Sequence, residues 1–259
     1  MNHLRSIDLN CDLGEATTPE QLDVEARLMA YVTSVNIACG AHAGDASLMR
    51  RTVQLAQQHD LAIGAHPGLP DRDTRGRREQ RLSQEFVQEL VLSQVGELMA
   101  ICQAEGLRLT HVKPHGALYN MAARDRAVAD AIAAGLEQID RRLILVGLAG
   151  SELLSAGQAR GLSVAAEGFA DRAYEADARL VPRDQEGALI HDESTVVSRA
   201  HSLIHDGMIT AIDGTLLHLR VDTLCLHGDT PDSLRLAHAL RSMFDDDGRI
   251  AVVRLDHAL

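Results

Sequence analysis

His111-Val-Lys-Pro-His-Gly-Ala-Leu-Tyr-Asn120 begins at the end of a short apolar run and carries Lys113, the only lysine in a chain of 259 residues. Every other basic residue apart from histidine is arginine, so a surface positive charge is not what this position needs. A compact ammonium can sit at the bottom of a site, lose its proton when desolvated, or act as a point charge on an oxyanion or phosphate, which a guanidinium does less well. The run therefore reads as a strand whose end delivers Lys113 and His115 to a site.

The same arrangement recurs in both directions along the chain. Candidate strands fall at 7–11, 35–38, 61–65, 110–113, 143–147, 162–166 and 223–226, with helical patterns between them at 19–32, 47–58, 83–104, 122–136 and 232–244. In the longest helical stretch Val87, Val91, Val95, Leu98 and Cys102 form one apolar stripe suited to packing on a sheet. Asp45 and Ser83 fit N-caps and Gly106 fits a helix stop. Repeated βα units imply parallel strands with right-handed crossovers, closed into a barrel or laid out as a doubly wound sheet. The chemistry-bearing residues decide between them. Asn10 and Asp12 end the first strand, Cys39-Gly-Ala-His-Ala-Gly-Asp45 follows the second, and Gly64-Ala-His-Pro-Gly-Leu-Pro-Asp71 closes the third. Lys113 and His115, Glu167, and His227 with Asp229 follow later ones. A barrel opens all these ends onto one face, whereas an open sheet gathers them only at its switch point. A single α/β barrel domain over 1–259 is expected.

Bulk composition narrows the function. With 46% hydrophobic residues, 2% aromatics and no Trp, the core is built from Leu, Ala, Val and Ile. A net charge of -12 argues against nucleic acid and for a small metabolite or a protein partner. Cys11, Cys39, Cys102 and Cys225 show no paired spacing, no signal peptide is visible, and no apolar run approaches the roughly 20 residues of a membrane helix. A cytoplasmic protein is expected. A P-loop is excluded, because Lys113 is followed by Pro114, and Gly147-Leu-Ala-Gly150 is too short for a dinucleotide fingerprint.

Asp12, His42 and His66 come from adjacent strands and offer oxygen and nitrogen ligands for a divalent metal with an open position, although no local HxH or HxxxH pair supports them. The charged stretch Asp71-Arg-Asp-Thr-Arg-Gly-Arg-Arg78 reads as a mobile loop over the same face or as a solvated one. Arg172 and Arg183 follow the sixth strand and suit bidentate capture of a carboxylate.

Eight stretches in order resemble the LamB/YcsF lactam-utilisation family: Asp8-Leu-Asn-Cys-Asp-Leu-Gly-Glu15, Asn36-Ile-Ala-Cys-Gly-Ala-His-Ala-Gly-Asp45, Gly64-Ala-His-Pro-Gly68, Val112-Lys-Pro-His-Gly-Ala-Leu-Tyr-Asn120, Val146-Gly-Leu-Ala-Gly-Ser151, Phe169-Ala-Asp-Arg172, Leu180-Val-Pro-Arg183 and Cys225-Leu-His-Gly-Asp229. Ala41 and Arg75 depart from it, where the family carries Phe and an aromatic residue. The resemblance implies a seven-stranded parallel βα barrel similar to polysaccharide deacetylases. It also implies the A component of an ATP-dependent 5-oxoprolinase, which works with B and C subunits to convert the lactam 5-oxo-L-proline to L-glutamate. ATP would act through the complex, with the partners phosphorylating the lactam and this chain opening the ring. In that scheme Asp12, oriented with His42 or His66, is the base, and Lys113 and His115 neutralise the phosphoryl or oxyanion charge. His115 or His227 protonates the ring nitrogen, Arg172 or Arg183 holds the carboxylate, and Glu167 and Asp229 orient these groups. Asn10, Asn36 and Asp45 complete the candidate substrate-binding set. Two rivals are a stand-alone metal-dependent amidohydrolase or deacetylase and a non-catalytic scaffold.

Overall fold

A computed structural model describes residues 5–226 and 232–259. In chain order the elements are β1 (Arg5–Leu13), α1 (Pro19–Leu28), β2 (Ser34–Ala38), α2 (Ala46–Gln58), β3 (Ala62–His66), α3 (Gln84–Ala104), β4 (His111–Val112), α4 (Gly116–Arg124), α5 (Arg126–Ile139), β5 (Ile144–Leu148), α6 (Glu152–Ala159), β6 (Val164–Phe169), α7 (Glu193–His205), β7 (Met208–Thr210), β8 (Leu216–His218), β9 (Thr223–Leu226), α8 (Ser233–Asp247), β10 (Ile250–Val252) and α9 (Leu255–Ala258). Strands β1, β2, β3, β4, β5, β6 and β9 pair in parallel in that order, and β9 returns to β1. The sheet is thus closed, as a seven-stranded βα barrel. Strand β10 adds outside the ring on the first residues of β1, and β7 with β8 makes a separate antiparallel hairpin.

Period-two alternation along β1 sets what the barrel contains. Ile7, Leu9, Cys11 and Leu13 point outward into the main apolar cluster, while Asp8, Asn10 and Asp12 point inward. The interior is therefore a polar column rather than the usual layers of branched aliphatics. At its base the hydroxyls of Thr33, Ser34 and Thr223 donate to Asp8 at 2.8, 2.7 and 2.6 Å. One level up, the His111 ring fills the space beside Gly64, where a Cβ would lie 2.1 Å from His111 Nε2. Only glycine fits there.

Outside, the α3 stripe of Val87, Val91, Val95, Leu98 and Cys102 is buried as its periodicity requires. Asp45 and Ser83 cap α2 and α3, and Gly106 follows α3 with φ +72°. The single helix expected at 122–136 is two helices: Asp125 turns the chain and its carboxylate accepts from Ala127 and Val128 N–H, starting α5 afresh. No described helix is long and apolar enough to cross a membrane.

Candidate active site

At the C-terminal end of the barrel lies a cavity of about 610 Å³, lined among others by Asp12, Glu15, His66, Lys113, His115, Tyr119, Phe169, Arg172 and Arg183. Its floor is Lys113, only 3% exposed. The ammonium lies 2.9 Å from Asp12 Oδ1, 2.8 Å from Glu167 Oε1, 3.2 Å from Asn10 Oδ1 and 3.1 Å from Cys225 Sγ, with the Phe169 ring centroid at 5.7 Å. Burial alone would lower its pKa, but the Asp12 and Glu167 carboxylates and the adjoining Cys225 outweigh it and hold Lys113 well above the usual lysine value. Of the roles open to a lone lysine, the deprotonated amine is thereby removed. Three N–H donors already meet four neighbours, so Lys113 positions Asp12 and Glu167 and offers no spare hydrogen.

Asparagines hold this cluster in register. Asn36 Nδ2 donates to Asn10 Oδ1 and Asp12 Oδ1, both at 2.8 Å, and Asn10 Nδ2 donates to Glu167 Oε1 at 3.0 Å and Thr223 Oγ1 at 2.7 Å. His111, pushed to about 3 by burial and then by Lys113, is neutral and donates from Nε2 to Asn36 Oδ1 at 2.9 Å.

The histidines form a second layer above Lys113. His66 Nδ1 donates to the Lys113 carbonyl at 2.7 Å, and His115 Nε2 donates to the Arg75 carbonyl at 2.8 Å. A carbonyl only accepts, so both outer nitrogens carry hydrogen and the inner pair, His66 Nε2 and His115 Nδ1, faces across 2.9 Å. His66 Nε2 also lies 3.2 Å from Asp12 Oδ2, giving a proton path from Asp12 through His66 to His115. Burial first, then the neighbouring His66 and His42, hold His115 well below the usual histidine value. His42 stacks on His115 at 3.8 Å with the rings 2° from parallel, and its Nε2 meets Glu15 Oε1 at 3.2 Å. Burial works to raise Glu15, yet the His42 hydrogen bond and the nearby His115 and His66 bring it down to about 2.

Placement of the expected residues is uneven. Asp12, His66, Lys113, His115, Arg172 and Arg183 meet at the cavity, and Asn10, Asn36 and Glu167 support them from inside the barrel. Asp45 does not join them: it is exposed and spends its carboxylate on the α2 N-cap. His227 and Asp229 lie outside the described residues. The stretch 71–78 is tied down rather than loose, through Arg72 to the Gly40 and Gly44 carbonyls, Gly76 N–H to Asp71 O, and His115 to the carbonyl of Arg75, which adopts φ +51°. Arg75 thus serves through its backbone, which softens its departure from the family pattern. Glu15, Tyr119, Phe169 and Cys225 were not singled out by their motifs; alternation along β1 and β9 was the signal for Cys225, and none was specific for Tyr119.

The expected metal set of Asp12, His42 and His66 is not assembled, because His42 turns to Glu15. Glu15, His42 and His115 instead offer ligand atoms within 4.8 Å of one another. Stacked, parallel rings send their lone pairs along parallel lines and not to one point, so the arrangement fits an ion poorly.

Comparison with known proteins decides the family. The model of the LamB/YcsF family matches residues 7–257. The chain belongs to the LamB/YcsF family. Among LamB/YcsF relatives, a protein of Geobacillus kaustophilus named as the A subunit of 5-oxoprolinase is 51% identical over 95% of both chains. Its namesake in Pyrococcus furiosus is 45% identical over 93% of this chain and 95% of its own. A crystal structure of the lactam utilization protein from Thermus thermophilus superposes with a TM-score of 0.87 at 40% identity, covering 96% of this chain and 99% of that one. A likeness of fold alone extends to a putative cellobiose-phosphate cleavage protein from Enterococcus faecalis, with a TM-score of 0.59 at 14% identity over 98% of both chains.

Proposed function

We propose that this chain is the A component of an ATP-dependent 5-oxoprolinase and that the cavity above Lys113 is where the activated lactam ring is opened to glutamate. The observation that carries this is the pairing, within one cavity, of a carboxylate–imidazole path with a buried guanidinium. Asp12 and His66 take the proton of a water attacking the ring carbon, and Arg172, 5% exposed, faces them with Arg183 to hold the substrate carboxylate. Burial and the adjacent Arg183 lower Arg172 to about 10 against the opposing pull of Asp171, which leaves it charged at neutral pH and suited to an anion. The relatives named as an A subunit of 5-oxoprolinase support further subunits beside this chain, and to those B and C partners this reading assigns ATP binding and phosphorylation of the lactam.

Magnitudes favour that division of labour. A positioned acid or base supplies about 10²–10⁴ in rate and one oxyanion donor about 3–4 kcal/mol. Together they reach only the lower end of enzymatic accelerations, about 8–23 kcal/mol, so an unstrained lactam opens far more readily once its oxygen has been phosphorylated. The test is conversion of 5-oxoproline to glutamate by this chain with and without its partners and ATP. Turnover is expected only with all of them present and is abolished by Asp12→Asn. ATP-independent turnover that chelation stops would instead establish the metal amidohydrolase.

A further inference from the structure

Gln94 lies beside Val91, Val95 and Leu98 on the buried face of α3, an amide in a stripe that is otherwise apolar, and only 7% of it is exposed. Such an amide is destabilising unless its donor and acceptor are both answered. Both are answered here by one residue outside the helix. Gln94 Nε2 donates to the Gly68 carbonyl at 2.9 Å, and Oε1 accepts from the Gly68 N–H at 3.0 Å. Gly68 comes two positions after His66, where β3 and its ladder end, in the stretch Pro67-Gly68-Leu69-Pro70, whose prolines have no N–H to donate. A two-point clamp from α3 thus takes over where the ladder bonds stop.

The surroundings of Gly68 show what the clamp holds. A Cβ on Gly68 would lie 2.5 Å from His42 Nδ1 and 3.2 Å from His115 Cβ, so its bare backbone packs directly against both. Gly76, bonded to the Asp71 carbonyl at 2.6 Å, closes on the same two residues, with its Cβ position 3.0 Å from His42 Cβ and 3.2 Å from His115 Cδ2. The Pro67 carbonyl accepts from the His115 N–H at 2.8 Å. Residues 66 to 68 therefore govern His66 through the chain itself, His115 through that hydrogen bond and His42 through contact.

We propose that Gln94 is a positioning residue of the ring-opening site: by clamping the Gly68 backbone it sets the three histidines, and with them the 2.9 Å approach of His66 Nε2 to His115 Nδ1. This rests on the lactam-opening function proposed above. Gln94 is not among the described cavity residues and acts through Gly68. A misplacement of about 1 Å in a reacting group costs about 10²-fold in rate, while Arg172 and Arg183, which follow β6, keep their hold on the substrate.

The test begins with Gln94→Met, which keeps a side chain of similar length and removes both bonds. In the complete ATP-dependent complex, kcat per folded enzyme should fall about 10–10²-fold with KM for 5-oxoproline changed by less than about threefold. Gln94→Glu then separates positioning from support of the fold. A neutral carboxylic acid offers the same acceptor and donor as the amide, and burial favours that form, whereas a carboxylate has no hydrogen for the Gly68 carbonyl. Relative to wild type at the same pH, its kcat should lie within about threefold at the acid end of the working range and decline toward that of Gln94→Met as pH rises. A Gln94→Met enzyme that melts lower yet keeps kcat within about threefold of wild type overturns the assignment, because the amide then only supports the fold. A Gln94→Glu enzyme no faster than Gln94→Met at the acid end also overturns it. If Gln94→Met does not fold, Gln94→Glu decides alone: kcat near wild type in acid and lost as pH rises supports the role, and a pH-independent ratio refutes it. If the wild-type complex does not turn over 5-oxoproline, the proposed function falls and ring-nitrogen NMR of the isolated chain decides. Gln94→Met, or Gln94→Glu at alkaline pH, should shift the resonances of His42, His66 and His115 and leave those of His201 and His205, on α7, in place. Unshifted resonances of the first three refute the clamp.

Discussion

Replacing Lys113 by methionine removes one charge from a site that holds two of opposite sign. Glu167 lies 2.8 Å from the ammonium with its side chain fully buried, while Asp12, at 2.9 Å, keeps 19% of its side chain exposed. At an effective dielectric of about 20 the gross attraction across 2.8 Å is about 6 kcal/mol. Asp12 recovers part of its share from water, and Glu167 recovers none. Breaking a buried pair by removing one partner generally costs about 3–5 kcal/mol, and the Glu167 environment places Lys113→Met in that range. For a single barrel of this size that corresponds to a fall of about 6–20 °C in melting temperature, at roughly 2–4 °C per kcal/mol. Adding Glu167→Gln to Lys113→Met should restore about 2 kcal/mol or more, because the stranded charge is gone. Equilibrium urea unfolding of wild type, both single variants and the double closes the cycle. If Lys113→Met unfolds within about 1 kcal/mol of wild type, or the coupling is below about 0.5 kcal/mol, the ammonium is not the counter-charge of Glu167 and the account of the cavity floor is wrong.

Asp8, raised from 3.8 to about 6 chiefly by burial, makes the folded state bind a proton more tightly than the unfolded chain. Its contribution is therefore fully present below about pH 4 and is lost as pH rises through 6, roughly 3 kcal/mol in all. Asp8→Asn should flatten that slope relative to wild type in urea titrations between about pH 4 and 7, and an unchanged slope would contradict it. Gly64→Ala should cost about 1–3 kcal/mol and most of the activity, because the new methyl displaces the His111 ring and with it the Asn36 bond to Asp12. An unaltered melting curve would mean that His111 is not packed where the structure puts it.

The seven barrel strands were legible because each is a short apolar run and all but β5 lead into ionisable groups, and so was the α3 stripe, whose period leaves one face to bury. The break at Asp125 was not, since 122–136 reads as one apolar helical pattern running through it and the turn depends on a single cap. Strands β7, β8 and β10 are three residues each, too short for alternation to show. In the site, Asp12, Lys113 and the histidines announced themselves as charged or polar residues at strand ends. Their hydrogen-bond directions did not: whether Lys113 has a hydrogen to spare depends on the inward turn of Asn10, Glu167 and Cys225, which only closure of the ring brings together. Asp45 misled because an N-cap and a binding carboxylate are the same residue type beside the same glycines.

The polar column inside the barrel also bears on how this protein can change. From Asp8 through Thr223 to Asn10, then by Asn36 and Lys113 side by side to Asp12 and on to His66, each side chain answers the donor or acceptor of the next. A substitution at one member therefore spoils its neighbours, and tolerated variants there must arrive as matched sets. Under the lactam-opening function proposed above, mutational libraries seeking a new ring size or substituent should find single-step paths at the cavity rim, at Arg77, Glu79, Arg124, Glu175 and Arg179, while the column stays fixed.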